Sequence, residues 1–153
     1  MSGKVKAAVT IRVAAQPEAV YDAWLDPASV RTWMSASLRA MGLPGDVRSV
    51  EIDARLNGRF LWSDMREGGE ARHWGSYLEL DRPRRISFTW IVDESEEADP
   101  SRVMLTIEPD GDGCHASIVH WLDADWASYI PQTENGWSNM LRAVADLLER
   151  DPR

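Results

Sequence analysis

One cysteine in 153 residues, Cys114, excludes an intrachain disulfide and any multi-cysteine metal site. Basic side chains are also short: 17 Lys and Arg stand against 25 Asp and Glu, a net charge of −8. The resulting field repels phosphate backbones and anionic membrane surfaces, so nucleic acid and membrane are not expected partners. Apolar runs are only a few residues long, where a membrane span needs about 20. Arg12 breaks the N-terminal apolar segment, so a signal peptide is not indicated and the cytoplasm is the expected location. Glycines fall singly or in pairs, never as G-x-x-x-x-G-K or G-x-G-x-x-G, and no phosphate-bearing cofactor is implied. No G-x-S-x-G elbow offers a nucleophile, and Cys114 has only its neighbour His115 as a base. The three histidines form no HExxH pair. Cys114 and His120 share strand parity but lie about 20 Å apart on an extended strand, so no metal and no other cofactor is expected. Phe and Tyr are scarce as well, at two and three; against them stand eight Trp. Rings of that size fill cores or line pockets.

The pattern that is present is one of strands. Val5, Ala7, Val9, Ile11 and Val13 alternate with Lys4, Lys6, Thr10 and Arg12, the period of a half-buried strand. Pro17 suits a first helical position, and Val20, Ala23 and Trp24 share a helical face. Asp26-Pro27 starts a second short helix, with Asp26 as N-cap and Val30, Trp33 and Met34 at helical spacing. Six further strands follow, over 47–56, 59–66, 71–80, 85–92, 101–109 and 115–122. Turn signals separate them: Asn57-Gly58, read as a type I′ turn, then Gly68-Gly69, Arg82-Pro83 and Gly111-Asp112-Gly113.

The acidic stretch Asp93, Glu94, Glu96, Glu97, Asp99 lacks the spacing and glycine of a calcium loop and reads as a solvated loop. Arg82-Pro83-Arg84-Arg85 is too small a basic patch for nucleic acid. The chain closes with a helix over about 131–149, with Trp137, Met140, Leu141, Val144, Leu147 and Leu148 on one face and Glu134, Asn139, Arg142, Asp146 and Glu149 outside. No repeat or linker divides the chain, and one domain over 1–153 is expected. A curved antiparallel sheet packed by the last helix would bury both apolar surfaces, an α+β architecture.

This order resembles the helix-grip fold of the START-like (SRPBCC) superfamily: a curved seven-stranded antiparallel sheet around a long C-terminal helix, with two short helices after the first strand. Local motifs resemble one branch, proteins similar to the C-terminal domain of the heat-shock protein 90 ATPase activator. They are Gln16-Pro17-Glu18-Ala19-Val20-Tyr21, Asp26-Pro27, Trp33, Asn57-Gly58-Arg59-Phe60, Gly75 with Leu78-Glu79-Leu80, Arg85-Ile86-Ser87-Phe88-Thr89-Trp90, His120, and Gly136-Trp137-x-x-x-Leu141. Asn57 replaces a usual glycine, which its tolerance of positive φ allows. The resemblance implies a space between sheet and helix that holds lipids, sterols, polyketides or other apolar molecules.

The aromatic set supports the same expectation. Trp33, Met34, Phe60, Trp62, Phe88, Trp90, Trp137, Met140 and Leu141 sit at inward-compatible positions and are the expected ligand-binding residues, with His120 as a polar member. Ala116 and Ile118 share the face of His120, so its imidazole is either a hydrogen-bonded core group, a ligand anchor, or an acid/base group. Asp64 shares parity with Phe60 and Trp62 but reads as a solvated strand end. The expected function is binding a small apolar or aromatic ligand without catalysis. Two alternatives stay open: a co-chaperone-like interaction protein, and a polyketide-cyclase-type enzyme using the same space. The extra N-terminal domain of the chaperone activators is not expected, which weakens the chaperone partner, and a homodimer is left open.

Overall fold

The computed structural model describes residues 3–150. Strand β1 spans Lys4–Val13, and the helices α1 (Pro17–Leu25) and α2 (Pro27–Ala40) follow it. Six strands come next: β2 (Asp46–Ile52), β3 (Arg59–Arg66), β4 (Gly69–Asp81), β5 (Arg85–Trp90), β6 (Ser101–Asp110) and β7 (Gly113–Asp123). The long helix α3 (Ile130–Arg150) closes the chain. All strand pairs are antiparallel, in the order β1-β7-β6-β5-β4-β3-β2, and the curved sheet is the helix-grip architecture expected above.

Alternation sets the faces. In β7, Cys114, Ala116, Ile118 and His120 point into the core, opposite Val13, Ile11, Val9 and Ala7 of β1. In β3, Phe60 and Trp62 do the same, while Leu61 lies on the other face with Trp74 as its partner. The helices cover the inner face. Asp26 caps α2 as expected, its carboxylate accepting from Ser29 N–H at 3.0 Å. The indole N–H of Trp33 donates to the Ala23 carbonyl at 2.9 Å and ties α2 to the end of α1.

Helix side chains reach the backbone at both sheet edges. The Glu134 carboxylate of α3 accepts from the β1 backbone at Ala8 at 2.9 Å, and the Glu149 carboxylate accepts from Ala14 N–H, just past the end of β1, at 3.0 Å. On the far edge, Arg31 of α2 donates to the Val47 carbonyl of β2 at 3.0 Å. Unpaired edge groups invite pairing with other chains, and these contacts occupy some of them. Glu149 is exposed and Glu134 half-buried, so both lie outside the apolar face as expected, and their carboxylates still reach the neighbouring backbone. A carboxylate on a stripe bordering the apolar face can reach the edge backbone, and periodicity alone does not distinguish that border from open solvent.

The turn at Asn57-Gly58 also differs from the expected type I′ hairpin. β2 ends at Ile52, and the chain crosses to β3 through a loop over 53–58. Asn57 takes φ 65°, but Gly58 does not have positive φ. A Cβ at Gly58 would collide with the Asp53 carbonyl, so glycine is required there by close backbone approach. The acidic segment after β5 forms a short 3-10 turn, Glu94–Glu96. Its Asp93 carboxylate accepts from Ser95 N–H, and the Glu96 carboxylate accepts from Val92 N–H at 2.7 Å. Arginines of the Arg82-Pro83-Arg84-Arg85 turn face acids: Arg82 with Asp22, Arg84 with Asp81, and Arg85 with Glu79.

Candidate functional site

The inner face of the sheet carries a continuous group of rings. Trp24 and Trp33 stack at 4.8 Å between centroids, and Trp62 meets them edge-on at 5.9 and 5.5 Å. Phe60 touches Trp62, Tyr77 and Phe88 at 5.4 to 5.5 Å. Trp90 joins Trp62 at 5.7 Å and Trp137 of α3 at 4.9 Å. Such geometries place ring edges on ring faces, where the quadrupoles attract. Trp33, Met34, Phe60, Trp62, Phe88, Trp137 and Leu141 are buried in this cluster, and Trp90 and Met140 pack against it half-buried. The structure thus brings together the apolar residues singled out from the sequence and adds Trp24 and Tyr77 to them.

His120 lies at one end of the cluster, 4 % exposed, in a fully specified chain of hydrogen bonds. The indole N–H of Trp137 donates to its Nδ1 at 3.1 Å. An indole nitrogen can only donate, so Nδ1 carries the lone pair and the ring proton sits on Nε2. That Nε2–H donates to Ser101 Oγ at 2.9 Å, and the Ser101 hydroxyl donates to the Trp90 carbonyl at 2.9 Å. Burial pushes the imidazole down to about 4, so it is neutral at pH 7. Both nitrogens are committed to protein partners.

Asp64 corrects the solvated reading. Its side chain is fully buried and receives two hydrogen bonds from Arg66, at 2.8 and 3.2 Å. The two residues share the inner face of β3 with Phe60 and Trp62, and a buried carboxylate needs such a partner. The i, i+2 acid–base pair in a strand was the available signal. Across the strand, His73 pairs with Trp62 and stacks its ring on Trp90 at 4.9 Å and 22°. The ring is half-buried. Burial, then the positive charge of Arg66, brings it down to about 4.

Among the described residues, three polar atoms of the core rings are buried without a partner: the indole nitrogens of Trp24 and Trp62 and the hydroxyl of Tyr77. Open clefts lie elsewhere among the described residues. One, of about 670 Å³, runs between α1 and the end of α3 past Ala15, Ala19, Leu147 and Leu148. Another, of about 520 Å³, lies on the outer sheet face beside Leu61, Trp74 and Arg72. Cys114 is buried, which pushes its thiol up and makes it a poor nucleophile. Among the described residues no three His, Cys, Asp or Glu side chains group to hold a metal ion, and no helix is long and apolar enough to cross a membrane.

Comparison with known proteins places this geometry. No curated protein matches the chain. Among solved structures it is similar to a protein of Chromobacterium violaceum at 27% identity, with a TM-score of 0.77, covering 95% of this chain and 98% of that one. A protein of unknown function from Staphylococcus aureus is similar in fold at 15% identity and TM-score 0.80, with 97% and 96% of the chains covered. So is the AHSA1-like protein from Aeromonas hydrophila, at 21% identity and TM-score 0.74 over 95% and 93%. The family model described as Activator of Hsp90 ATPase homolog 1-like protein matches residues 14–149, all of the described chain after β1 but its last residue, and the chain belongs to that family.

Proposed function

We propose that the protein binds a small apolar or aromatic molecule between the sheet and α3, using Trp33, Met34, Phe60, Trp62, Phe88, Trp90, Trp137, Met140 and Leu141, with His120 as a brace at one end. The observation that carries this reading is the group of unpartnered polar atoms inside the ring cluster, on Trp24, Trp62 and Tyr77. Each such buried group costs about 1–3 kcal/mol, and a pure core would more economically hold Phe or Leu at these positions. A flat ligand bearing an acceptor atom could slide between rings and satisfy one of them. No catalytic step is assigned to His120, because its two nitrogens are engaged by Trp137 and Ser101.

Titration with naphthalene is expected to change tryptophan emission saturably, because an entering ring must contact one or more of Trp62, Trp90 and Trp137. Binding is expected to carry a negative heat-capacity change from buried apolar area. A panel of fatty acids, sterols and polycyclic aromatics that produces no spectral or thermal shift would reduce the cluster to a filled core.

A co-chaperone-like role is the second reading, supported by the family description and by an exposed ring pair, Trp126 and Tyr129, 51% and 47% exposed with centroids 5.2 Å apart. The isolated protein is expected not to stimulate the ATPase of heat-shock protein 90. Saturable stimulation at micromolar concentration would move this reading ahead of ligand binding.

A further inference from the structure

At the end of the ring cluster near Trp90, β3 and β4 present a small polar group that neither the hydrogen-bond chain of His120 nor the core uses. On β3 the inner-face row runs Phe60, Trp62, Asp64, Arg66; opposite it on β4 stand Gly75, His73, Ala71 and Gly69. β4 therefore places almost no side-chain bulk opposite the Asp64–Arg66 pair, and a Cβ at Gly69 would meet nothing within 4 Å. Arg66 is 34% exposed and spends Nε and Nη2 on Asp64, while its Nη1 group makes no hydrogen bond among the described residues. His73, held flat against Trp90, has one hydrogen bond, to the Trp62 backbone, and no side chain among the described residues engages its other ring nitrogen. Being neutral, it keeps one nitrogen as an acceptor. Trp62, the residue paired with His73 across the two strands, has an indole N–H with no acceptor among the described residues.

We propose that His73, Arg66 and the Trp62 indole form a head-group subsite for the hydroxyl of an aromatic alcohol whose ring lies among Trp62, Trp90 and Trp137. The proposal rests on the reading that the cluster admits an aromatic ligand. A hydroxyl is the group that fits this set, because it donates once and accepts twice. Its proton goes to the free imidazole nitrogen, and its oxygen accepts from the guanidinium or indole N–H. A carboxylate head would face the His73 lone pair and the buried Asp64 charge, and an ammonium would face Arg66. An ether oxygen could accept but would leave His73 unpaired.

The test compares 2-naphthol, 2-methoxynaphthalene and naphthalene by calorimetry and tryptophan emission on the full chain. In the wild type 2-naphthol is expected to bind about tenfold more tightly than 2-methoxynaphthalene, the scale of one well-placed hydrogen bond. His73→Phe keeps a ring to stack on Trp90 and removes the acceptor, so the preference for 2-naphthol over its ether should fall below about threefold. Arg66→Lys keeps a positive charge beside Asp64, loses the planar fork, and should weaken 2-naphthol more than naphthalene. Equal binding of the naphthol and its ether to the wild type would overturn the head-group subsite while leaving the ring site standing. Retention of the full preference in His73→Phe would overturn the assignment of His73. Failure of all three probes to bind would overturn the ligand-binding reading and this inference with it.

Discussion

Trp137→Ala is expected to destabilise the protein by about 3–5 kcal/mol, the range for removing a large ring from a core that cannot close around the gap. Trp137 is 3% exposed and packs on Trp90 at 4.9 Å, on Phe88 and Trp24 at 6.3 Å, and edge-on to His120 at 5.8 Å. With Leu141, it is among the residues through which α3 grips the sheet. The substitution also removes the donor to His120 Nδ1, leaving that nitrogen buried with no partner. Trp137→Phe separates the two losses, keeping most of the ring while removing the N–H, and should cost clearly less. Urea denaturation of the three proteins reads the difference as a midpoint shift at constant slope. Equal midpoints for Trp137→Ala and wild type would mean that α3 is not held by this ring.

The grip itself was legible from one line of sequence. Gly136-Trp137-x-x-x-Leu141 puts Trp137 and Leu141 on one face of a long helix, and both are buried. Strand positions were equally readable, because alternation in segments such as Lys4–Val13 has few competing explanations. The end of β2 was not. Val47 to Leu56 keeps strand-like composition past Ile52, yet the chain leaves the sheet at Asp53, where the loop backbone is fixed by tertiary hydrogen bonds such as Asn57 N–H to the Tyr77 carbonyl. A contact between residues twenty positions apart does not show in a local window.

Within the site, apolar members were readable and polar ones were not. Trp33, Phe60, Trp62, Phe88 and Trp90 follow from parity and helical spacing. Asp64 has the same inward parity, but the cost of burying a carboxylate argued for solvent; only the bidentate Arg66 reverses that balance. His73 had no neighbour in sequence to mark it, since its stack on Trp90 depends on how β4 and β5 pair around Gly75. Gly75 lies so close to the Thr89 carbonyl that a Cβ would collide with it. Trp24 read as one ring on a short helix, and its place beside Trp33, Trp62 and Trp137 depends on the turn between α1 and α2.

Acid is expected to unfold the protein earlier than its carboxylates alone would, through His120. In the fold this imidazole sits at about 4, lowered by burial, whereas in the unfolded chain it returns to about 6.5. Below 6.5 the unfolded state therefore binds a proton that the native state refuses, so stability falls with pH. The contribution is fully present above pH 6.5 and is lost as the pH drops to about 4, an effect of about 3 kcal/mol. Geometry gives the same sign: a proton on Nδ1 would meet the Trp137 N–H that now points at it. His73, lowered to about 4 by burial and then by the charge of Arg66, acts in the same direction, and its share of the decline remains in a variant that lacks His120. Asp22, Glu70 and Asp110 are held below the ordinary carboxylate range by Arg82, Ser63 and Arg12 respectively, so their losses begin at lower pH. His120→Gln removes the titrating group while retaining an amide that can hydrogen-bond to Trp137 and Ser101. The expected result is a shallower decline in unfolding free energy between pH 7 and pH 5 for the variant than for the wild type. Parallel declines over that interval would show that His120 does not supply the linkage, and with it would go the neutral imidazole braced between Trp137 and Ser101.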